Sequence, residues 1–527
     1  MKMKGAKRFF INGIILAAAT VLLRAVSVSY NAFVTKTLGE EAVGLFTLVM
    51  SVYNLAIIFA SSSVNLASVR MTSAALARLE QAGASEGEIK RVLRREIWGC
   101  IKYSLFFSLL TSAVVFILAE VIGVRILGDA RTVLSVRVLS LSLPFIAVGS
   151  AVSGYFTGVS KAYKNAAISA IEQLWKILFI TLGLVVIAPR GIEYACVAVV
   201  GGGALGEALS LISDIVFYFT DRVRSAENGH NSDIKHADEK QSPLSRAFGI
   251  AFPVALGSYV RQSLVCAEHI AIPSSLRKSG ANSSEALSSY GVLHGMVFPL
   301  IFFPASVLNS FSSLLVPEIT ACVATDNRRK AKAIAGKVLR ACLVFSFAVS
   351  GIFTCYAYEF GISVYDSWEA GKYIAMIAPL IPIMYMDTTV DFILKGLGEQ
   401  IYTMGVNILD AFLSLTLVLL LVPRFGLTGY IVSVYIVEVV NSALSLFRLV
   451  SVMDLKVCIC WVTRPFIAVF ISCIISKMIF SLSFITVNYV IRLIFTVALS
   501  AAIMRLTGAV TKNDIAYFKN LLKSVKK

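Results

Sequence analysis

Apolar runs of about twenty residues recur along this chain from Phe9 to Leu506. About twenty apolar residues make a helix as long as a bilayer's hydrocarbon core is thick. Inside that core every backbone polar group must be satisfied within the protein, which leaves only helices and closed barrels. Runs this long are helical. The pattern therefore predicts an all-α polytopic membrane protein with about fourteen spans. They fall near 9–35, 43–73, 98–122, 133–158, 166–188, 193–219, 246–272, 289–318, 336–358, 373–394, 400–422, 425–449, 458–480 and 484–507. Charged residues make up only 15% of the chain, against about 25% in a soluble domain. The first run is too long for a cleavable leader and has no small-residue cleavage site, so it is expected to stay as span one.

The net charge of +17 would suit a nucleic-acid binder, but the cations sit on alternate loops. One set of loops carries Lys2, Lys4, Lys7 and Arg8, then Arg78, Lys90, Arg91, Arg94 and Arg95, then Arg328, Arg329, Lys330 and Lys332, and finally Lys519, Lys523, Lys526 and Lys527. The other set holds scattered cations such as Lys36, Arg125, Arg190 and Arg424. The positive-inside rule places both termini in the cytoplasm. The excess charge then serves topology and anionic membrane lipids, with no nucleic-acid partner. The nine cysteines lie in or beside apolar spans. Cys458 and Cys460, a C-x-C, read as small core residues and not as a disulfide frame or metal site.

A polar, charged stretch from Thr220 to Arg246 separates spans six and seven and reads as a disordered tether. It divides the chain into an N-terminal lobe at 1–219, a cytoplasmic linker at 220–245 and a C-terminal lobe at 246–450. Spans thirteen and fourteen follow with a basic tail at 451–527. The halves look alike. "VGLFTLVMSVYNLAIIFASSSVNLASVRMTSAALA" from Val43 aligns without gaps, at an offset of 247, with "YGVLHGMVFPLIFFPASVLNSFSSLLVPEITACVA" from Tyr290. Pro144 and Gly158 have the same spacing as Pro382 and Gly396. Six is an even number, so the repeats are parallel about an axis along the membrane normal, which suits alternating access. Ser85 and Glu88 read as a capping box for a surface helix. Ile515, Phe518, Leu522 and Val525 among lysines read as an amphipathic tail on the inner membrane face.

Arg24 lies near the middle of span one, in "ILAAATVLLRAVSVSYNAFVT". A central arginine costs about 2.5–3.5 kcal/mol on insertion scales. Thr20, Arg24, Ser27 and Asn31 fall on one helical stripe, so that face is expected to look inward or onto water. In the equivalent helix of the second half, Arg261 lies at similar depth, with Glu268 and His269 on its face. Two inward arginines would make a cationic patch suited to the planar, bidentate binding of phosphate or pyrophosphate. The competing reading pairs each arginine with a fixed acid chosen from Glu172, Glu207, Asp214, Glu268, Asp387, Asp391, Asp410 and Glu438. Arg70 is nearer the cytoplasmic rim, where snorkelling to headgroups accounts for it as well as ligand binding does. His269 and His294 fit packing better than proton relay.

These residues resemble a known family. "SYVRQSLVCAEHIAIPSSLRKSG", the stretch "SSEALSSYGVLHGMVFPLIFFPASVLNSFSSLLVPEI", "TKTLGEEAVGLFTLV" and "VRMTSAALA" resemble the polysaccharide-exporter branch of the multidrug/oligosaccharidyl-lipid/polysaccharide superfamily. Within it they are most similar to the stage V sporulation protein B group, akin to MurJ-type lipid II flippases. The resemblance implies two six-helix lobes around a cationic cavity. It also implies the flipping of an undecaprenyl-pyrophosphate-linked saccharide across the bacterial cytoplasmic membrane, with a sporulation role by likeness. It puts the cavity arginines on Arg24 and Arg261 with Glu268 beside them, and Ser27, Asn31 and Arg70 complete the expected substrate contacts. The group carries a further cavity arginine in span two, where this chain offers only the rim residue Arg70, so another lipid-linked saccharide stands beside lipid II. No catalytic residue, metal or cofactor is expected, and one copy is expected to suffice. Two rivals stand against this reading: a multidrug cation antiporter of the same fold and a membrane-embedded glycosyltransferase or polymerase. The antiporter is disfavoured because the mid-span charges of the two leading helices are arginines. The enzyme is disfavoured because the outer loops are short and poor in carboxylates, and no P-loop is present.

The charge argument predicts a labelling pattern. In a cysteine-free background, a single cysteine at Ser283 should react with an impermeant thiol reagent on intact cells. One at Asn231 should react only after permeabilisation. Labelling at 231 in intact cells would reverse the orientation.

Overall fold

The computed structural model describes residues 21–220, 242–455, 458–482 and 489–510. Most of the expected linker, the amphipathic tail and Thr20 lie outside the described residues. The described chain is built of helices. They are α1 (residues 21–38), α2 (Glu40–Ser61), α3 (Val64–Gln81), α4 (Glu86–Ile117), α5 (Val133–Gly158), α6 (Ala162–Val186), α7 (Ile192–Phe219), α8 (Pro243–Lys278) and α9 (Ser283–Gly291). There follow α10 (Phe298–Ala324), α11 (Arg328–Cys355), α12 (Ala357–Tyr365), α13 (Trp368–Ile377), α14 (Ile381–Gly396), α15 (Gln400–Met453), α16 (Cys460–Leu482) and α17 (Tyr489–Leu506).

Among the described residues, 11 helices are long and apolar enough to cross a membrane. The architecture is the expected all-α polytopic one, but fourteen separate crossing helices are not established. Span one is described only from residue 21. Spans eleven and twelve run together in the 54-residue α15, which bends at Gly426 with φ 58° and ψ −140°. That left-handed φ is open to glycine because it has no Cβ. Large apolar side chains such as Leu110, Ile117, Val185, Val186, Phe447 and Phe470 are exposed, as lipid-facing surfaces require.

By internal packing the chain forms two compact units, Glu41–Ile270 and Met1–Glu40 with Ala271–Lys527. The sequence divides spans one to six from spans seven to twelve. Packing instead groups α1 with the C-terminal unit, and α8 as far as Ile270 with the N-terminal unit. Specific bonds account for this. In the C-terminal unit, the Asn31 amide donates to the Gly295 carbonyl at 3.1 Å, and the Ser367 hydroxyl donates to Glu40 at 2.6 Å. In the N-terminal unit, Arg246 pairs with buried Glu96 at 2.5 Å, and the Tyr259 hydroxyl meets Ser62 Oγ at 2.6 Å.

The N-terminal unit has its core where Ile89, Leu93 and Ile97 of α4 meet Tyr155 and Phe156 of α5. The capping box opens α4 as expected. Glu88 N–H donates to Ser85 Oγ at 3.4 Å, and Ser85 N–H donates to Glu88 Oε2 at 2.9 Å. Span two breaks between α2 and α3 at Ser62 and Ser63, whose φ values are 44° and 56°. In the C-terminal unit, Ile319, Leu339, Ile393 and Leu394 are central to a comparable core. The extra helices α16 and α17 belong to this unit. Tyr356 before α12 reaches Ser476 of α16 at 3.1 Å and Thr496 of α17 at 2.7 Å. Seven cysteines are free. Cys458 and Cys460, expected as reduced core residues, are joined as a disulfide. They lie at the start of α16 outside the core, with Cys458 exposed. Their Cα atoms are 5.2 Å apart, within bridging range.

The internal repeat has a packing counterpart in each unit. A Cβ on Gly158 would press on Thr72 Oγ1 and lie 3.0 Å from the Val69 carbonyl oxygen. A Cβ on Gly396 would lie 3.1 Å from Ile319 Cβ and 3.2 Å from the Val316 carbonyl oxygen. Positions 316 and 319 are the partners of 69 and 72 at the offset of 247. The same glycine-mediated helix crossing occurs in both halves, because a missing side chain lets two backbones approach. The repeat is not strict. Ser63 lies in the break of span two, whereas its counterpart Ser310 lies inside continuous α10.

This crossing predicts opposite effects for two similar substitutions. Gly203, with no atom within 4 Å of a built Cβ, should gain up to about 1 kcal/mol from Ala through helix propensity. Gly158→Ala should instead lose about 1–3 kcal/mol by overpacking. Melting temperatures of the purified variants in one detergent would check the difference.

Candidate functional site

The polar stripe of α1 serves two purposes. Arg24 is exposed, while Ser27 and Asn31 are half-buried. Asn31 donates to the carbonyl of Gly295, which lies in a π-helical turn, Val292–Val297, between α9 and α10. A π-turn displaces the regular hydrogen-bond ladder, and such turns occur frequently at functional sites. Two further carbonyls at or just beyond this turn receive hydroxyls. Tyr365 donates to Met296 at 2.9 Å, and Tyr385 donates to Ile301. Part of Asn31's hydrogen-bonding capacity is thus committed to holding α1 in its unit. His294, on the same turn, bonds the Tyr430 hydroxyl at 2.8 Å and packs between the rings of Tyr290 and Phe298. It is a packed, satisfied histidine.

In the N-terminal unit, Arg261 of α8 is exposed and Glu268 is half-buried. Arg70 on α3 is also exposed. Among the described residues, no acid lies within ion-pairing distance of Arg24, Arg70 or Arg261. The fixed partnership of Arg261 with Glu268 is therefore not formed. Four of the candidate acids are engaged elsewhere. Asp387 accepts from the Asn441 amide at 3.0 Å, and Asp391 accepts from Asn407 at 3.2 Å and faces Lys395 at 3.7 Å. Glu172 and Glu207 both pair with Lys176 at 2.5 Å.

Lys176 is a charged residue that sequence alone does not single out. It lies within α6 and bridges α6 to α7. Its one signal in the sequence is the spacing from Glu172, four residues earlier on one helix face. The stripe of Arg24, by contrast, is legible in the sequence because a single polar row on an otherwise apolar helix cannot face lipid cheaply. The structure places Arg24, Ser27 and Asn31 in the C-terminal unit and Arg70, Arg261 and Glu268 in the N-terminal unit.

Comparison with known proteins adds family and fold. Residues 10–236 match a family described as "Polysaccharide biosynthesis protein". The chain is 23% identical over 427 residues to stage V sporulation protein B of Bacillus subtilis (strain 168), covering 80% of each chain. Its fold resembles a solved lipid II flippase MurJ in an inward closed conformation. The TM-score is 0.69 at 13% identity, over 95% of this chain and 100% of that one. It also resembles an inward-facing multidrug resistance MATE family transporter. There the TM-score is 0.63 at 13% identity, over 84% of this chain and 98% of that one. The two solved proteins are a transporter and a flippase. The chain is a multi-pass membrane protein whose first part, residues 10–236, is similar to the polysaccharide biosynthesis family, and whose fold is that of the solved flippase and transporter.

Proposed function

We propose that the protein flips an undecaprenyl-pyrophosphate-linked saccharide across the bacterial cytoplasmic membrane by alternating access. Both termini lie on the cytoplasmic side, and the parallel lobes of spans one to six and seven to twelve carry the substrate. Arg24 and Arg261 hold the headgroup phosphates, supported by Ser27, Asn31 and Glu268, with Arg70 meeting the headgroup near the rim. The observation that carries this reading is the state of the two arginines. Each lies at mid-span in one of two equivalent helices, is exposed, and has no acid partner among the described residues. An arginine inside a span without a fixed counterion is costly, and such residues mark substrate or ion pathways by default. A guanidinium matches phosphate with two parallel hydrogen bonds. The likeness to stage V sporulation protein B and to a lipid II flippase supports a lipid-linked saccharide as cargo.

Transfer of a labelled lipid-linked saccharide across proteoliposome bilayers tests the reading. Arg24→Ala and Arg261→Ala should each abolish transfer while leaving abundance and melting temperature unchanged, since neither strands an acid. Arg→Lys should restore only part, because an ammonium keeps the charge but loses the planar fork. Arg246→Ala is the contrast. It removes the ion-pair partner at 2.5 Å from Glu96, which is 2% exposed, and should destabilise the protein by about 3–5 kcal/mol. Normal transfer by Arg24→Ala or Arg261→Ala would sink the phosphate-binding role.

A further inference from the structure

The N-terminal unit carries an apolar cleft that the arginines do not account for. Helix α7 packs closely on both α5 and α6, while α5 and α6 touch each other little. Between those two helices, floored by α7, lies a cavity of about 580 Å³, within the range of about 300–1,000 Å³ in which protein pockets take ligands. Leu141 of α5, Leu182 and Val186 of α6 and Leu205 of α7 line it and are 58%, 52%, 65% and 54% exposed. The cavity therefore opens sideways onto the bilayer. Its floor is low at Gly201 of α7, where an added Cβ would come no nearer than 3.8 Å to Val138 Cγ1. Ser142 is the one lining residue with a polar side chain, and its hydroxyl is engaged by the Leu139 carbonyl and by Tyr53.

The cleft has the length of one leaflet. On α7 its lining runs from Val197 to Ala208, which is about 16 Å at 1.5 Å per residue. Half of a hydrocarbon core about 30 Å thick is about 15 Å. Charges stand at one end only. Just beyond Ile187, where the lining ends at the close of α6, Arg190 is exposed in the turn to α7, and Glu193 is half-buried in the first turn of α7. Neither has an ion-pair partner among the described residues. Tyr194, 40% exposed, stands beside them, and tyrosine is enriched at headgroup level. Lipid tails are as apolar as the cleft, so a chain alone selects no lipid and the headgroup decides. The Arg190 guanidinium suits a phosphate. Glu193 opposes a head of net negative charge and suits an ammonium.

We propose that this cleft holds one acyl chain of a zwitterionic phospholipid bearing a primary ammonium, with the phosphate on Arg190 and the ammonium beside Glu193. The lipid fills the space left between α5 and α6 and so braces the N-terminal unit. With both termini in the cytoplasm, as proposed above, it belongs to the outer leaflet; its binding depends neither on that orientation nor on the cargo. The proposed cargo differs in its head, a pyrophosphate that Glu193 opposes.

Binding is read at equilibrium from the melting temperature of the full-length chain, delipidated in detergent and titrated with phosphatidylethanolamine, phosphatidylglycerol or undecaprenyl phosphate. No lipid-linked saccharide is present, so failure here is distinct from failure of the flippase reading. Phosphatidylethanolamine should raise the melting temperature saturably, because it binds the folded chain, and the other two lipids should not at the same concentration. Arg190→Gln should raise the half-saturating concentration about tenfold, the loss of one charge-assisted hydrogen bond. Gly201→Leu fills the cleft and should abolish the shift. Gly203→Leu, at a position with open space around it, should keep it. Arg190→Gln changes an exposed turn and decides the matter if Gly201→Leu is unstable. No shift at all, a shift unchanged in Arg190→Gln, an equal shift with phosphatidylglycerol, or displacement of phosphatidylethanolamine by undecaprenyl phosphate overturns the proposal.

Discussion

A bilayer offers no water to an unpaired backbone group, so any departure from regular helix inside it must be satisfied by the protein itself. Two irregular points show how this demand is met. At the break between α2 and α3, the Ser62 carbonyl accepts the Tyr103 hydroxyl at 3.1 Å, and Ser62 Oγ lies 2.7 Å from that hydroxyl and 2.6 Å from that of Tyr259. At the π-turn before α10, side chains from α1 and α12 supply donors to the Gly295 and Met296 carbonyls. These donors come from other helices, so each irregularity also fixes its neighbours. The position of α1 within the C-terminal unit follows from the Gly295 carbonyl as much as from any apolar face.

Charge inside the spans is handled in three ways. Arg246 and Glu96 form a buried pair that ties the start of α8 to α4. Lys176 holds two glutamates and so joins α6 to α7. Both arrangements are closed, with each charge given a fixed partner. Arg24, Arg261 and Asp214 have no such partner among the described residues. A protein that tolerates the cost of an open charge in a membrane does so where something mobile completes it.

The repeat shows how much can be carried by a few positions. The match between spans two and eight rests on few identities, yet the crossing of Gly158 over Val69 and Thr72 returns as Gly396 over Val316 and Ile319. What survives is the shape of the contact, a glycine where two helices touch. The polar details diverge. Ser63 lies at a break and Ser310 does not, and Pro144 is inside α5 whereas Pro382 opens α14 after a short 3-10 turn.

The sequence by itself determined the all-α membrane class of the protein, the capping box at Ser85 and the polar stripe of Arg24. All of these depend on residues near one another in the chain, whose spacing reports helix period and span length. It did not determine which helices pack together, where the π-turn lies, that Cys458 and Cys460 are joined, or that Lys176 takes Glu172 and Glu207. Only the tertiary structure decided these. Hydropathy says that a face is buried but not against what, and the deciding bonds join residues 264, 197 and 150 positions apart. Arg261 and Glu268 illustrate the limit: their spacing puts them on one helix face, but a shared face two turns apart does not make an ion pair.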